Sequence, residues 1–199
     1  MLSFIGNQFK KPSGFGGKII SFLMKKGNRH AYDKMIPDLD IKSGDQILEI
    51  GYGHGIGIDR ICSEYDCFVT GVDFSELMFK EAQKRNQPHI KNKKLDLHFG
   101  DYMDFKVPGE QFDKIFFINV IYFWNSLEEP FIKIYGELKQ KGQLLIFMAH
   151  RDDINRLKFT KDHIFNKHTI DDITEKLGVA GFRDIKHQFD NGYFIECRK

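Results

Sequence analysis

The chain has 199 residues, a length typical of a single domain. Its 30 basic and 28 acidic side chains nearly cancel and 41% of its residues are apolar, which excludes an intrinsically disordered chain. The net charge of +2 gives no indication of nucleic-acid binding, which usually requires clustered Lys and Arg, so we expect no nucleic-acid partner.

The cysteines and the apolar segments indicate the compartment. Cys62, Cys67 and Cys197 are an odd number without the spacing of a metal site, so we interpret them as reduced, partly buried thiols. No stretch approaches the roughly 18 consecutive apolar residues that a membrane span needs, and the first residues lack the apolar core of a secretory signal. These features predict a cytoplasmic protein without a metal site or a transmembrane segment.

The first 40 residues differ from the rest. Residues 1–20 are rich in glycine and predict an irregular arm, and residues 18–36 have a helical apolar face that Gly27 interrupts and Pro37 ends. Apolar side chains in the arm could anchor it over a site. We therefore predict an N-terminal arm and helix, acting as a lid, over residues 1–40, and the main domain over residues 41–199.

Strands and helices alternate through the rest of the chain. A helix is predicted from Ser75, as N-cap, to about Gln87, where Pro88 stops it. A final hairpin is predicted around Asp190-Asn191-Gly192. Strands are predicted at 46–50, 67–73, 95–99, 112–120, 143–149, 182–189 and 193–198, and further helices at about 56–65, 127–140 and 170–179. The alternation predicts an α/β fold, a doubly wound Rossmann-like sheet of about seven strands, mostly parallel with an antiparallel C-terminal hairpin and helices on both faces.

A loop with four glycines at alternate positions follows the first predicted strand, in the sequence Gly51-Tyr52-Gly53-His54-Gly55-Ile56-Gly57. Such spacing lets the backbone approach a ligand or adopt positive φ. No register of the loop matches the G-x-G-x-x-G fingerprint, so a nicotinamide-dependent oxidoreductase is disfavoured. Glu49, two residues before the first glycine, would repel a pyrophosphate but not an ammonium or a sulfonium.

Two further acids follow predicted strands. Asp73 ends the second strand, where a carboxylate accepts hydrogen bonds from ribose hydroxyls. Asp101 follows the third strand in Gly100-Asp101-Tyr102, where its carboxylate could accept a hydrogen bond from an adenine amino group. In an open α/β sheet, ligands bind beyond the carboxyl ends of the strands. The three acids therefore predict a nucleoside ligand that also carries a cationic group.

Together these residues resemble class I S-adenosylmethionine-dependent methyltransferases. The resemblance includes E-x-G-x-G-x-G after the first strand and covers about residues 30–199, with further matches at 71–78, 112–124, 137–147 and 177–185. The chain departs from the family at 141–143, where Lys-Gly-Gln replaces the usual Pro-Gly-Gly. The resemblance implies S-adenosylmethionine as methyl donor and S-adenosylhomocysteine as product.

The resemblance also implies a role for each matching residue. The loop glycines would line the methionine part of the donor, and Glu49 would hold the loop or meet the ammonium group. Asp73 would bind the ribose, and the residues around Asp101 would flank the adenine. The implied cofactor-binding residues are Glu49, Gly51, Tyr52, Gly53, Gly55, Asp73, Phe74, Met78, Gly100, Asp101, Tyr102, Asn119 and Val120.

The acceptor is narrowed by motifs that the sequence lacks. After the fourth strand, Asn119-Val120-Ile121-Tyr122 lacks both prolines of the enzymes that methylate exocyclic amino groups, and no cysteine follows a proline. A small-molecule acceptor is therefore favoured. The alternatives are an RNA or protein methyltransferase and an inactive S-adenosylmethionine-binding protein; the sequence leaves open whether the chain is a monomer or a homodimer.

Methyl transfer is an in-line displacement that needs alignment, and a base only when the nucleophile holds its proton. The candidate catalytic residues are His150, which follows the fifth strand, and Tyr122. Tyr122 begins the aromatic run Tyr122-Phe123-Trp124, which is expected either to wall the acceptor pocket or to pack in the core.

Overall fold

A computed structural model of the chain describes residues 28–106, 112–149, 166 and 168–199. The predicted arm and the candidate base His150 lie outside the described residues. The strands are β1 (Gln46–Ile50), β2 (Phe68–Asp73), β3 (Leu95–Phe99), β4 (Phe112–Ile118), β5 (Leu138–Met148), β6 (Arg183–Phe189) and β7 (Tyr193–Arg198). The helices are α1 (Arg29–Asp38), α2 (Ile56–Glu64), α3 (Glu76–Arg85), α4 (Gln87–Lys91), α5 (Glu128–Glu137) and α6 (Ile170–Val179), with a 3₁₀ turn at Ile121–Phe123.

The strands form one seven-stranded sheet in the order β3-β2-β1-β4-β5-β7-β6. The first five strands along the chain pair in parallel, and β7 pairs antiparallel with both β5 and β6. The predicted fold class is therefore confirmed, including the antiparallel hairpin. The sheet order reverses between β1 and β4, which is where ligands bind in folds of this type.

The sheet is covered on both faces. One apolar cluster packs α1, α2 and α3 against one face, and the other packs α5 and α6 against the opposite face. The central strand β4 is apolar because it is buried from both sides, with Ile115, Phe116 and Phe117 fully inaccessible. The three cysteines are buried and unpaired, as expected. Among the described residues, no helix is long and apolar enough to cross a membrane.

Three predicted boundaries differ from those of the structure. Pro37 lies inside α1 instead of ending it, one residue before the helix stops. Pro88 does not stop the helical region: it is the second residue of the short helix α4, where its missing N–H would have no helical acceptor. Residues 138–140 belong to β5 instead of the preceding helix, because Leu138 pairs with Phe112 across the sheet.

The N-terminal helix is part of the main core. Ala31 and Ile36 of α1 are fully buried and Met35 nearly so, and all three belong to the cluster that also holds the first two strands. Helix α1 therefore packs onto the sheet like the other helices. The predicted division at residue 40, and the predicted lid over residues 1–40, stay predictions.

Candidate functional site

The glycine loop leaves β1 at the point where the sheet order reverses. Gly51, Gly53 and Gly55 all have positive φ (72°, 53° and 68°), a conformation that L side chains rarely adopt. A Cβ on Gly51 would lie 2.4 Å from Val120, and one on Gly55 would lie 2.5 Å from Asn86, whereas one on Gly53 would meet nothing within 4 Å. Gly51 and Gly55 therefore allow close packing, and Gly53 leaves open space beside the loop.

Asp73 ties this loop to the end of β2. Its Oδ2 accepts a hydrogen bond from the backbone N–H of Gly53 at 2.9 Å, and its Oδ1 accepts one from the N–H of Ser75 at 2.8 Å. The side chain is buried, and burial raises the pKa of the Asp73 carboxyl to about 6 despite these two bonds. The loop and the ribose-binding candidate are thus parts of one hydrogen-bonded unit.

Glu49 accepts a hydrogen bond from a residue that the sequence did not indicate. The Tyr32 hydroxyl of α1 donates to Glu49 Oε1 at 2.8 Å, while the buried Glu49 Oε2 has no partner among the described residues. Burial raises the pKa of Glu49 to about 8, against the opposing effect of the Tyr32 hydrogen bond. The two residues lie 17 positions apart, on a helix and a strand, so no local pattern could have paired them.

A cleft at the carboxyl edge brings together seven of the predicted cofactor residues. The lining is Ile50, Gly51, Val72, Asp73, Phe74, Gly100, Asp101, Tyr102, Val120, Phe123 and Trp124. Of the predicted set, it contains Gly51, Asp73, Phe74, Gly100, Asp101, Tyr102 and Val120. The aromatic side chains of Phe123 and Trp124 form part of its wall, as one of the two interpretations of that aromatic run expects.

Three predicted side chains are engaged wholly or partly outside the cleft. The Tyr52 hydroxyl donates to the carbonyl of His98, and the ring is buried in the core. Met78 is buried on α3 and does not line the cleft. The Tyr102 hydroxyl donates to Glu137 at 2.7 Å, so only its ring is available to the cleft. The roles assigned to these side chains stay predictions.

Asn119 and Tyr122 form a junction at the end of β4. Asn119 has φ of 58°; its Oδ1 accepts from the Ala149 N–H at 2.9 Å, and its Nδ2 donates to Asn28 Oδ1 at 2.9 Å. The buried Tyr122 hydroxyl donates to the Ala149 carbonyl at 3.0 Å. Burial raises the pKa of Tyr122 above its ordinary value, so the phenol keeps its proton at neutral pH. These bonds hold the junction together, and the catalytic role of Tyr122 stays a prediction.

Asn166 holds the aromatic turn from a distant part of the chain. Its backbone N–H donates to the Tyr122 carbonyl at 2.9 Å, and its Nδ2 donates to the Trp124 carbonyl at 2.9 Å. His168 Nε2 also lies 3.2 Å from the Trp124 carbonyl. Sequence reasoning missed Asn166, because a lone asparagine more than 40 residues from its partners gives no signal.

Comparison with known proteins decides the family. A family model described as "Methyltransferase domain" matches residues 47–142. An uncharacterized methyltransferase of Bacillus subtilis (strain 168), YdaC, is 32% identical over 174 residues, which cover 87% of this chain and 91% of the relative. The chain belongs to the class I S-adenosylmethionine-dependent methyltransferases. The predicted enzyme class and methyl donor are thereby confirmed.

More distant relatives are similar to this chain over part of their length. Phosphoethanolamine N-methyltransferase 2 of Caenorhabditis elegans is 30% identical over 109 residues, or 55% of this chain and a quarter (25%) of that protein. The structure of Haemonchus contortus phosphoethanolamine N-methyltransferase 2, in complex with phosphomonomethylethanolamine and S-adenosylhomocysteine, superposes with a TM-score of 0.73 at 19% identity. The superposition covers 86% of this chain and 52% of the Haemonchus contortus chain, and it shows that the two proteins share a fold.

The residues of the methyltransferase fit S-adenosylmethionine. The buried Asp73 carboxylate stands at the strand end where a ribose diol is bound in related folds. A Cβ on Gly53 would meet nothing within 4 Å, so there is space beside the loop backbone, and the buried Oε2 of Glu49, which has no partner among the described residues, would suit an ammonium donor. Among the described residues, no group of three or more His, Cys, Asp or Glu side chains could hold a metal ion.

Proposed function

We propose that this methyltransferase methylates a small molecule at the cleft between the ends of β1 and β4. The observation that carries the proposal is the lining of the cleft, which among the described residues is aromatic and acidic and contains no Lys or Arg. A site for RNA needs basic groups that neutralise phosphates. An apolar or cationic acceptor would instead be favoured by Phe123 and Trp124.

The named relatives support a small-molecule acceptor. The Caenorhabditis elegans relative is named for phosphoethanolamine, and the Haemonchus contortus structure contains a methylated form of it. This chain covers only a quarter of the first of those proteins and about half of the second, 25% and 52% respectively. The relatives therefore support the class of acceptor and leave its identity open.

The site residues are assigned as follows. S-adenosylmethionine, when bound, supplies an electrophilic methyl group on a sulfonium. Asp73 would accept from the ribose hydroxyls, Glu49 would accept from the ammonium, and the loop backbone at Gly53 would hold the methionine part. Phe74 and the ring of Tyr102 would flank the adenine. Together these contacts fix the direction of the methyl group for in-line attack, which is the main contribution an enzyme makes to such a transfer.

The N-terminal arm is proposed to cover this cleft. The described chain begins beside it, since the Asn28 side chain accepts a hydrogen bond from Asn119 at the end of β4. Asn28, the first residue that the structure describes, is therefore hydrogen-bonded next to Val120 of the cleft lining. Deletion of residues 1–17 should leave a folded protein, reduce acceptor methylation sharply and weaken cofactor binding less. Full activity of the truncated protein, with equal proteolysis rates in the presence and absence of S-adenosylhomocysteine, would contradict a lid.

A turnover assay tests the proposed function. S-adenosylhomocysteine release is measured with panels of phosphorylated amines, sterols and phenols, and in parallel with total RNA and a protein extract. We expect turnover with at least one small-molecule class, and its loss in the Asp73→Asn variant. Turnover only with RNA or protein would establish the alternative acceptor, and binding of S-adenosylhomocysteine without any turnover would favour an inactive binding protein.

A further inference from the structure

We propose that Tyr32 is a positioning residue for the ammonium subsite at Glu49, and that ligand binding at this subsite releases a proton. This inference rests on the proposed role of Glu49 as the acceptor for the ammonium group. The proposal adds to the site a residue of α1, which lies outside the glycine loop and the strand ends. It also adds the release of a proton when the cofactor binds.

The position of Tyr32 is fixed from two sides. Its hydroxyl donates to Glu49 Oε1 at 2.8 Å. Its ring lies against the backbone of α2, where a Cβ on Gly57 would come within 2.2 Å of the ring. The hydroxyl therefore cannot swing away from Glu49 without moving α1 or α2. With Oε1 held in this way, the second carboxyl oxygen, Oε2, is buried without a partner among the described residues, and it is the atom that we assign to the ligand.

Among the described residues, no cation is a cause of the pKa shift of Glu49. The titratable groups that interact with it are Tyr32 from α1, Asp73 from β2, Tyr52 from the glycine loop and Cys62 from α2. Burial and the nearby Asp73 raise the pKa of Glu49 to about 8. The ligand-free carboxyl therefore holds a proton at neutral pH, even though Tyr32 favours its ionised form.

The ammonium group of a ligand reverses the preference of Glu49 for its protonated form. An opposite charge next to a carboxyl favours the ionised form. When the ammonium approaches Oε2, the O–H bond of Glu49 breaks, its proton passes to the buffer, and the carboxylate pairs with the ammonium. Tyr32 itself stays a donor, because burial and the neighbouring Glu49 raise its own pKa well above the ordinary value.

The effect of Tyr32 on this equilibrium has a definite sign. Removing its hydroxyl leaves both oxygens of Glu49 without a donor, so the pKa of Glu49 should rise further. More of the ligand-free protein is then protonated at neutral pH, and binding has to displace that proton. Above the raised pKa of Glu49, its carboxyl is ionised both in the wild type and in the protein without the Tyr32 hydroxyl. The difference between their affinities for the ligand should therefore narrow.

The test uses S-adenosylhomocysteine as probe with wild type, Tyr32→Phe, Glu49→Gln and the control Tyr135→Phe. Tyr135 lies on α5 and packs against Phe182 on the opposite face of the sheet. Calorimetry at pH 7 in two buffers of different ionisation enthalpy should show release of about one proton for wild type and none for Glu49→Gln. Tyr32→Phe should bind about tenfold more weakly at pH 7, and this ratio should narrow above about pH 8. Tyr135→Phe should match wild type.

The outcomes separate the two proposals. If Glu49→Gln binds S-adenosylhomocysteine with wild-type affinity and releases a proton as the wild type does, Glu49 is not in the site. That result would overturn both its proposed role in binding the ammonium and the proposed proton release. Loss of proton release in Glu49→Gln, combined with a wild-type pH profile in Tyr32→Phe, would keep Glu49 and overturn the role of Tyr32. A Tyr32→Phe deficit of constant ratio from pH 6.5 to 9.5 would show a merely structural role and equally overturn it.

Discussion

Replacing Gly57 with alanine should destabilise the methyltransferase, although the same change in most helices is stabilising. Gly57 lies in the first turn of α2, and a Cβ there would lie 2.2, 2.8 and 3.0 Å from three atoms of the Tyr32 ring. Real Cβ atoms are not found at such distances, so the ring has to move. The ring is buried and its hydroxyl is bonded to Glu49, so movement disrupts both contacts.

The magnitude follows from two opposing effects. Adding a methyl group to a packed position costs about 1–3 kcal/mol, and alanine recovers up to about 1 kcal/mol of helix propensity. We therefore expect a net loss of about 1–2 kcal/mol in Gly57→Ala. The matched control is Gly136→Ala on α5, where a new Cβ meets nothing within 4 Å. That variant should gain about 0.4–1 kcal/mol.

Urea denaturation of the two variants and the wild type measures these changes. The free energies of unfolding should change with opposite signs, and the melting temperature of Gly57→Ala should fall by about 2–8 °C for a domain of this size. S-adenosylhomocysteine affinity should also fall in Gly57→Ala and stay unchanged in Gly136→Ala. If both variants are stabilised, the Tyr32 ring does not occupy the space beside Gly57, and the fixed position of Tyr32 is refuted.

Three further predictions concern the site. Asp73→Asn should weaken S-adenosylhomocysteine binding at least about tenfold in calorimetry, because charge-assisted bonds to a ribose diol are lost; an unchanged dissociation constant would remove Asp73 from the site. Gly53→Ala should abolish binding while the circular dichroism spectrum is preserved, since the new methyl group enters the open space beside the loop; normal binding would limit Gly53 to shaping the turn. The ligand-free protein should lose stability as pH rises from 4.5 toward about 8, because the folded state holds a proton on Glu49 that the unfolded state loses. Glu49→Gln should keep only the smaller loss below about pH 6 that the raised pKa of Asp73 causes, and identical pH dependence of the urea midpoints in the two proteins would contradict the prediction for Glu49.

The sequence predicted those parts of the fold that depend on neighbouring residues. The strand before Gly51 and the N-cap at Ser75 have local chemical causes, and the structure has both. The hairpin at residues 190–192 is also present, with Asn191 and Gly192 at positive φ. The clustering of the loop glycines and Asp73 could be predicted as well, because parallel strands place their carboxyl ends at one edge.

The contacts that complete the site depend on the packing of distant segments. Tyr32 reaches Glu49 only because α1 packs across α2, and Asn166 reaches Trp124 only after the chain returns from β5. Each is a single side chain without a periodic or spaced pattern. Similarly, an apolar helical periodicity extends into residues 138–140, but the pairing of Leu138 with Phe112 outweighs that local preference.

The position of β7 between β5 and β6 constrains how the methyltransferase assembles during synthesis. β6 leaves the ribosome before β7, yet it has no pairing with β5 and joins the sheet only through β7. Until β7 emerges, β5 is an open strand edge with apolar residues at 144–148, and β6 has nothing to pair with. Unpaired apolar edges of this kind promote intermolecular pairing. Chains that end between residues 190 and 193 lack β7 and should therefore aggregate more readily than the full chain.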